Sequence, residues 1–274
     1  MSHDNAYSKT SDDDTNDGTE NQDIDPADDN SSSIDNRYRV RVLNNNKSSI
    51  KQPRVCEIGL LPSLPFSAVC IGKSGSGKSM AVCNMLSNPY MLQNVFDYII
   101  MYTGVEPDEN LIECLKLPKE NIKVNFTEDD VSSYMSKMEK VCKQKGKKSL
   151  EEVPKVCMLF DDILGFPKFL KSSTMSKLIT TNRHMNISVI VLSQYFKKLP
   201  AVVRTNASYT MVFPSSEAEC LKIADELCPP NLNKKQFMTL IRHATSEPYN
   251  FLSINSRAEP KKMLRKNFDT ILNM

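Results

Sequence analysis

The sequence has no tryptophan, only three histidines, and no CxxC pair among its eight cysteines, Cys56, Cys70, Cys83, Cys114, Cys142, Cys157, Cys220 and Cys228. Zinc-type ligand spacing is therefore missing, and cysteines inside apolar runs behave as small hydrophobes. No apolar run approaches the ~20 residues that span a bilayer, and no signal peptide is recognisable at the N-terminus. These absences point to a soluble intracellular protein in a reducing compartment, with no membrane span. Glycine is scarce too, at eight in 274 residues, yet three of the eight fall at positions 72, 75 and 77. So scarce a residue, so concentrated, marks a place where the backbone must bend sharply.

Charge is divided unevenly along the chain. The first 35 residues hold eleven acids against Lys9, with almost nothing large and apolar between them, and read as a disordered acidic tail. One lysine against eleven acids nets −10, so a chain of net charge +2 leaves +12 on the rest. A basic domain suits a polyanion such as DNA, and an acidic tail is either a solubilising leader or a competitor for that surface. Residues 1–52 are assigned to tail and linker, 53–258 to one domain, and 259–274 to a basic C-terminal segment. Lys143 to Lys148 reads as a basic loop, either a DNA contact or a solvated turn.

The glycine cluster is the run Gly72-Lys73-Ser74-Gly75-Ser76-Gly77-Lys78-Ser79, which fits the phosphate-loop pattern GxxxxGK[ST] at every specified position. Such a loop turns backbone N–H groups inward around a polyphosphate, while Lys78 reaches the β and γ phosphates and the Ser79 hydroxyl ligates Mg2+. Its context is the required one. Phe66 to Ile71 reads as a short buried strand, and Met80 to Leu86 continues as a helix free of Gly and Pro. ATP and Mg2+ are the cofactors expected.

Further strands are expected at Asn94–Tyr102, Ile122–Phe126, Tyr209–Phe213 and Tyr249–Asn255, and helices near 129–142, 167–181, 215–227 and 234–243. Val156-Cys157-Met158-Leu159-Phe160-Asp161-Asp162 has the form of a buried parallel strand ending in two acids at the ligand edge of a sheet. Asp161 is assigned to the metal, directly or through water, and Asp162 to orienting or deprotonating the attacking water. The strand Ile187 to Gln194 ends in an amide placed to sense a γ phosphate. His184, just before it, reads as a packing or capping residue more than as a base.

Taken together, GKSGSGKS, LFDD and NRHMNISVIVLSQ followed by LPAVVRTNAS closely resemble the genome-packaging ATPases of large DNA viruses, the family typified by the poxvirus packaging ATPase. Related ATPases of virophages and Maverick/Polinton transposons share the signature, within the HerA/FtsK branch of phosphate-loop ATPases. The resemblance runs from about Phe66 to Asn255. It implies an α/β fold of the P-loop, RecA/ASCE-like type, a mostly parallel central sheet with helices on both faces. It also implies a homo-oligomeric ring, by that likeness a hexamer, which drives double-stranded DNA into a capsid with capsid or portal-vertex proteins as partners, at virion assembly sites in host cytoplasm or nucleus.

The phosphate-loop pattern puts Gly72 to Ser79 on the nucleotide. The likeness agrees for Lys78 and Ser79 and puts Asp161 and Asp162 in the metal and water roles and Gln194 at the sensor position. It makes Arg183 an arginine finger acting on a neighbouring subunit's nucleotide, with Arg204 a second candidate. Family members often carry glycine before the Arg-His pair, where this chain has Asn182. Other phosphate-loop ATPases usually have Glu where this chain has Asp162. Two other functions are compatible with the phosphate loop: a phosphotransferase such as a nucleotide kinase, and a nucleotide-gated DNA-binding or assembly factor with little hydrolysis. A compact arginine-rich lid, which a kinase needs, is not recognisable, and neither is an NKxD motif of a GTPase.

Overall fold

A computed structural model describes residues 60–145 and 152–272. The acidic tail, the linker, Cys56 and the Gly146 to Lys148 part of the basic loop lie outside the described residues. No described helix is long and apolar enough to cross a membrane, and the seven described cysteines are free thiols.

The chain builds one mixed, mostly parallel sheet with helices on both faces, as the sequence predicts. Its elements in order are β1 (Ser67–Ile71), α1 (Lys78–Ser87), β2 (Tyr98–Thr103), α2 (Glu109–Leu115), β3 (Ile122–Val124), α3 (Glu128–Lys145), β4 (Val156–Asp161), α4 (Pro167–Leu170), α5 (Ser173–Thr181), β5 (Ile187–Ser193), α6 (Ala201–Thr205), β6 (Tyr209–Val212), α7 (Glu217–Leu227), α8 (Lys234–Ala244), β7 (Leu252–Asn255), β8 (Leu264–Lys266) and β9 (Thr270–Ile271). The strand order is β3-β2-β4-β5-β1-β6-β7-β8-β9. β3 through β6 run parallel, and β7, β8 and β9 pair antiparallel.

Period-two alternation sends the central strands' side chains to two separate cores. Ala68 and Cys70 of β1, Leu159 of β4 and Leu192 of β5 face a core shared with Ala81, Val82 and Met85 of α1 and Leu111 of α2. Val69, Ile71, Met158, Phe160 and Val191 face the other core, covered by α3, α5, α7 and α8. The small side chains of β1 on the first face let α1 lie close to the sheet, which fixes the loop joining them. α3 buries Val131, Met135, Met138 and Cys142, one stripe of a 3.6-residue period, and opens with Thr127 and Asp130 bonding each other's backbone N–H groups.

Several elements differ from expectation, each for a local reason. β2 starts at Tyr98 instead of Asn94, whose φ of 55° breaks the extended backbone. The helix expected over 167–181 is two, because Ser172 caps a fresh start by accepting from Met175 N–H at 3.1 Å. Lys143 and Lys145 close α3 and do not form a loop, and Lys143 pairs with Glu139 at 2.9 Å. The strand expected over Tyr249–Asn255 begins at Leu252, since Tyr249 has φ 66° and Asn250 N–H turns back to Glu247 O at 3.3 Å. The segment set apart as a basic C-terminus instead supplies β8 and β9, with Leu264 and Phe268 buried. α2 and the one-turn α6 were not anticipated.

Asn182 has a structural explanation. Its side chain is buried and its Nδ2 donates to Phe66 O at 3.2 Å and Ile187 O at 3.0 Å, tying the turn before β5 to the residue before β1. A glycine has no side chain to make that tie.

Candidate active site

Four parallel strands deliver their C-terminal ends to one rim, the crevice side of an open α/β sheet. β1 ends at Ile71 and passes into the glycine loop, whose conformation depends on glycine at two kinds of position. Gly75 and Gly77 have φ of 72° and 98°, and Gly72 is too close to its neighbours for any side chain: a Cβ there would lie 2.5 Å from Phe213 Cβ. Gly72 N–H donates to Ser193 O at 3.2 Å, so the loop starts beside the end of β5. α1 then begins at Lys78, with its unpaired N–H groups turned to the rim.

Lys78 Nζ bonds to Gly72 O and Lys73 O, each at 2.8 Å, so the ammonium folds back across the mouth of its own loop. Burial draws its pKa below the usual lysine value, and the Asp161, Cys70 and Asp162 side chains partly offset that. Asp161, the last residue of β4, shows the converse: burial and then the Asp162 carboxylate push its pKa up, while Lys78 pulls it down. Asp162 stands in the left-handed region with φ 50° and ψ 40°. A non-glycine residue there is uncommon, and here it turns the chain sharply out of the strand so that two successive acids meet one cavity.

Beneath that turn an aromatic cluster holds β2 and β4 together. Tyr102 stacks on Phe160 with centroids 5.0 Å apart, and Phe126 stacks on Phe166 at 4.9 Å. Gly104 fits between them. A Cβ there would lie 2.5 Å from Phe166 Cε2 and 3.1 Å from Asp162 O. Gly104→Ala is therefore expected to displace the Asp162 turn; on the water-orienting role that the sequence predicts for Asp162, ATP hydrolysis should fall by about 10²-fold, the cost of such a group misplaced by about an ångström. Steady-state kinetics beside a melting curve checks this, since the folded state survives if only the turn moves.

These ends enclose a cavity of about 390 Å³, lined by Ser74, Gly75, Gly77, Lys78 and Ser79 on one side and by Asp161, Asp162 and Gln194 on the other. Gly72, Lys73 and Ser76 shape the loop without lining the cavity: Gly72 and Lys73 offer the carbonyls that hold Lys78, and Ser76 Oγ is buried without a hydrogen-bond partner. Gln194 follows β5 directly, half-buried. The loop, the twin aspartates and the strand-end amide thus line a single cavity.

The chain matches the family described as Poxvirus A32 protein over residues 58–265, which is 208 of its 274 residues. It belongs to that family. DNA packaging protein OPG160 of Variola virus and of Vaccinia virus (strain Western Reserve) are each 28% identical over 160 residues, covering 56% of this chain and 54% of theirs. The chain thus spans about half the length of the curated relatives it matches. In fold it is similar to the genome packaging NTPase B204 from Sulfolobus turreted icosahedral virus 2 in complex with AMP, at TM-score 0.50 and 16% identity over 76% of this chain and 98% of that one. EssC (ATPases 2 and 3) from Geobacillus thermodenitrificans gives TM-score 0.51 at 13% identity, over 76% and 40%.

The remaining candidates of this A32-family chain stand elsewhere. Arg183 and His184 are exposed on the turn Asn182–Met185, which precedes β5 and so lies at the opposite rim from the cavity. Seven residues of extended strand, ~23 Å at 3.3 Å each, separate the two rims. Arg183 cannot reach this chain's own cavity. Beside it is Arg257, whose pKa is lowered by burial and by the Arg183 charge, and whose Nη1 donates to Ser63 O at 2.8 Å. Arg204 is committed already: Nε and Nη2 bond the two Glu226 carboxylate oxygens at 2.8 and 3.0 Å, and Nη1 bonds Leu199 O. Lys197 shares Glu226, and Lys198 lies over the Tyr195 ring at 4.3 Å, so this basic stretch is largely paired internally.

Sequence reasoning missed the wall formed by Val105, Glu106 and Asp108. Its shape comes from Thr103 Oγ1, which donates to Val105 O at 2.9 Å, and from Asp108, which caps α2 by accepting from Asn110 N–H at 3.0 Å. The signal was available in principle, because every segment that follows a parallel strand at this rim faces the crevice.

The donors present fit a magnesium ion. Ser79 and Asp161 both face the cavity, and the like-charge pressure of Asp162 on a half-buried Asp161 is what a divalent cation relieves. Among the described residues no three His, Cys, Asp or Glu side chains gather as a protein cage. A cation here would draw its other ligands from phosphate and water, which is magnesium's habit.

Proposed function

We propose that the chain is an ATP-hydrolysing motor that moves double-stranded DNA into the capsid of a virus or virus-like transposon. The observation that carries the reading is the convergence of the glycine loop, Asp161, Asp162 and Gln194 on one cavity at one rim. A site that only bound nucleotide would have no use for a second acid beyond the metal ligand. The packaging relatives supply the process, and the basic charge of residues 36–274 suits the polyanion.

In this mechanism the loop's N–H groups and the N-terminus of α1 hold the β and γ phosphates of ATP, and Lys78 exchanges its two carbonyl partners for phosphate oxygens. Ser79 and Asp161 would hold magnesium, which when bound neutralises charge on the bridging and terminal phosphates. Asp162 orients a water in line with the γ phosphorus and accepts its proton. Gln194 donates an amide hydrogen bond to the γ phosphate and loses that partner once phosphate leaves, so its strand reports the nucleotide state. Arg183, unable to serve its own cavity, is presented to the next subunit of a homo-oligomeric ring, a hexamer by family likeness. Capsid or portal-vertex proteins are its partners there.

Phosphate release measured with and without double-stranded DNA, across protein concentration and salt, tests this. Hydrolysis should rise with protein concentration and with DNA, and the DNA stimulation should fall steeply as salt rises, because binding to a phosphate backbone releases counterions. ATP-dependent DNA binding without phosphate release would identify a gated binding factor instead, and label transferred to a nucleoside acceptor would identify a phosphotransferase.

A further inference from the structure

On the proposed assignment the cavity takes the phosphates, and its apolar lining side chains, Met80, Val105 and Leu192, include no aromatic ring for a base. A triphosphate whose γ end lies by Asp161 and Gln194, over β4 and β5, has its other end directed across the loop toward β6 and β7, because β1 stands between those pairs in the sheet. On that side stands Tyr249. Among the described residues it is the most exposed of the large apolar or aromatic side chains, at 65%, and its φ of 66° is one that bulky residues rarely adopt. It lies against the phosphate loop itself: a Cβ on Gly77 would come 3.2 Å from Tyr249 Cδ1 and 3.4 Å from its Cβ.

The surrounding bonds hold this conformation in place. Asn250 N–H donates to Glu247 O at 3.3 Å, Asn267 Nδ2 donates to Asn250 Oδ1 at 3.0 Å, and Asn267 Oδ1 accepts from Phe251 N–H at 3.1 Å. Lys266 Nζ reaches Glu247 Oε2 at 3.3 Å, so the β8–β9 turn clamps the loop from 245 to 251. A left-handed backbone over-determined by its neighbours, carrying an exposed ring beside a phosphate loop, is a strained feature of the kind that clusters at ligand sites. Exposure alone is no signal, since Tyr98 and Tyr195 are exposed as well; the signal is the place of the Tyr249 ring against Gly77. Tyr249 buries little and leaves its ring standing at the nucleoside end of the site.

We propose that Tyr249 is the nucleobase platform, a residue on which the base of the bound nucleoside triphosphate stacks. The proposal rests on the assignment of the cavity to ATP and adds the half of the ligand that the phosphate motif does not address. Stacking engages the π face that every base has, so the ring contributes affinity with little choice among bases.

The test compares binding of magnesium ATPγS with binding of magnesium tripolyphosphate, which lacks a nucleoside, to the full chain by calorimetry. Tyr249→Ala should weaken ATPγS by about 5- to 150-fold and leave tripolyphosphate unchanged, the range set by loss of one base–aromatic stack. Tyr249→Phe should bind both as the wild type does. Tyr249→Asn removes the ring with a residue at ease in the left-handed region, and should repeat the alanine result without straining the loop. ATPγS affinity unchanged in both the alanine and asparagine variants overturns the platform, and so does equal weakening of ATPγS and tripolyphosphate, which would make Tyr249 a support of the phosphate loop. A wild-type chain that binds neither ligand fails in a different way: it overturns the ATP assignment and the base platform with it.

Discussion

Lys78→Ala is expected to lower ATP turnover by about 10²- to 10³-fold or more, the cost of removing one preorganised donor from the developing phosphoryl charge. The side chain stands where Asp161 and Asp162 already offset part of the desolvation of its charge, and its present partners are two backbone carbonyls that phosphate oxygens would replace. Lys78→Arg should rescue poorly, since a planar guanidinium is a wider group than the point charge this loop is folded around. Phosphate release beside a melting curve is the measurement. Undiminished turnover in a folded Lys78→Ala chain would remove the cavity from the chemistry altogether.

Arg183→Ala carries the next largest effect, a fall of about 10³- to 10⁵-fold in turnover if the arginine completes a neighbour's site. ATP affinity of the separate subunit should not change, because the residue stands at the rim remote from its own cavity. The informative measurement is complementation. Lys78→Ala supplies a sound finger and a dead cavity, and Arg183→Ala the reverse, so mixing two nearly inactive proteins should restore part of the activity. No recovery on mixing, together with normal turnover in Arg183→Ala alone, would place catalysis within one subunit. Arg204→Ala is expected to act on stability instead, because its guanidinium is bound by Glu226 and the Leu199 carbonyl.

What the sequence disclosed and what it withheld divide along a physical line. The central strands were legible because a strand buried on both faces is a nearly unbroken apolar run: Val156 to Phe160, and Ile187 to Leu192 with Ser188 as its one polar residue, admit little else. The phosphate loop was legible because its glycines are required by backbone angles, and a shortage of glycine elsewhere made them conspicuous. Placing Asp161 and Gln194 followed from parallel strands sharing a direction, so acids and amides after those runs had to meet at one rim.

The features missed are those that depend on a side chain's partner far along the chain. Nothing local distinguishes Tyr249 from a strand residue, since the two residues that follow it, Asn250 and Phe251, are held by Asn267, eighteen positions on from Tyr249. Arg204 looked as available as Arg183 until Glu226 was seen against it. Asn182 looked like a departure at a catalytic loop and is a buried tie between two carbonyls. The strands β8 and β9 are only three and two residues long, below the length at which alternation can be recognised, and they form because β7 already offers an edge.

Most direct of all would be a structure of the full chain with magnesium and ATPγS. The γ phosphate should lie between Lys78 Nζ and the Gln194 amide, with the ion touching Ser79 Oγ and the Asp161 carboxylate or a water it holds, and Asp162 facing the open side of the γ phosphorus. A nucleotide bound away from this rim, or one whose γ phosphate points away from Asp161 and Gln194, would contradict the claim that these groups serve a single triphosphate.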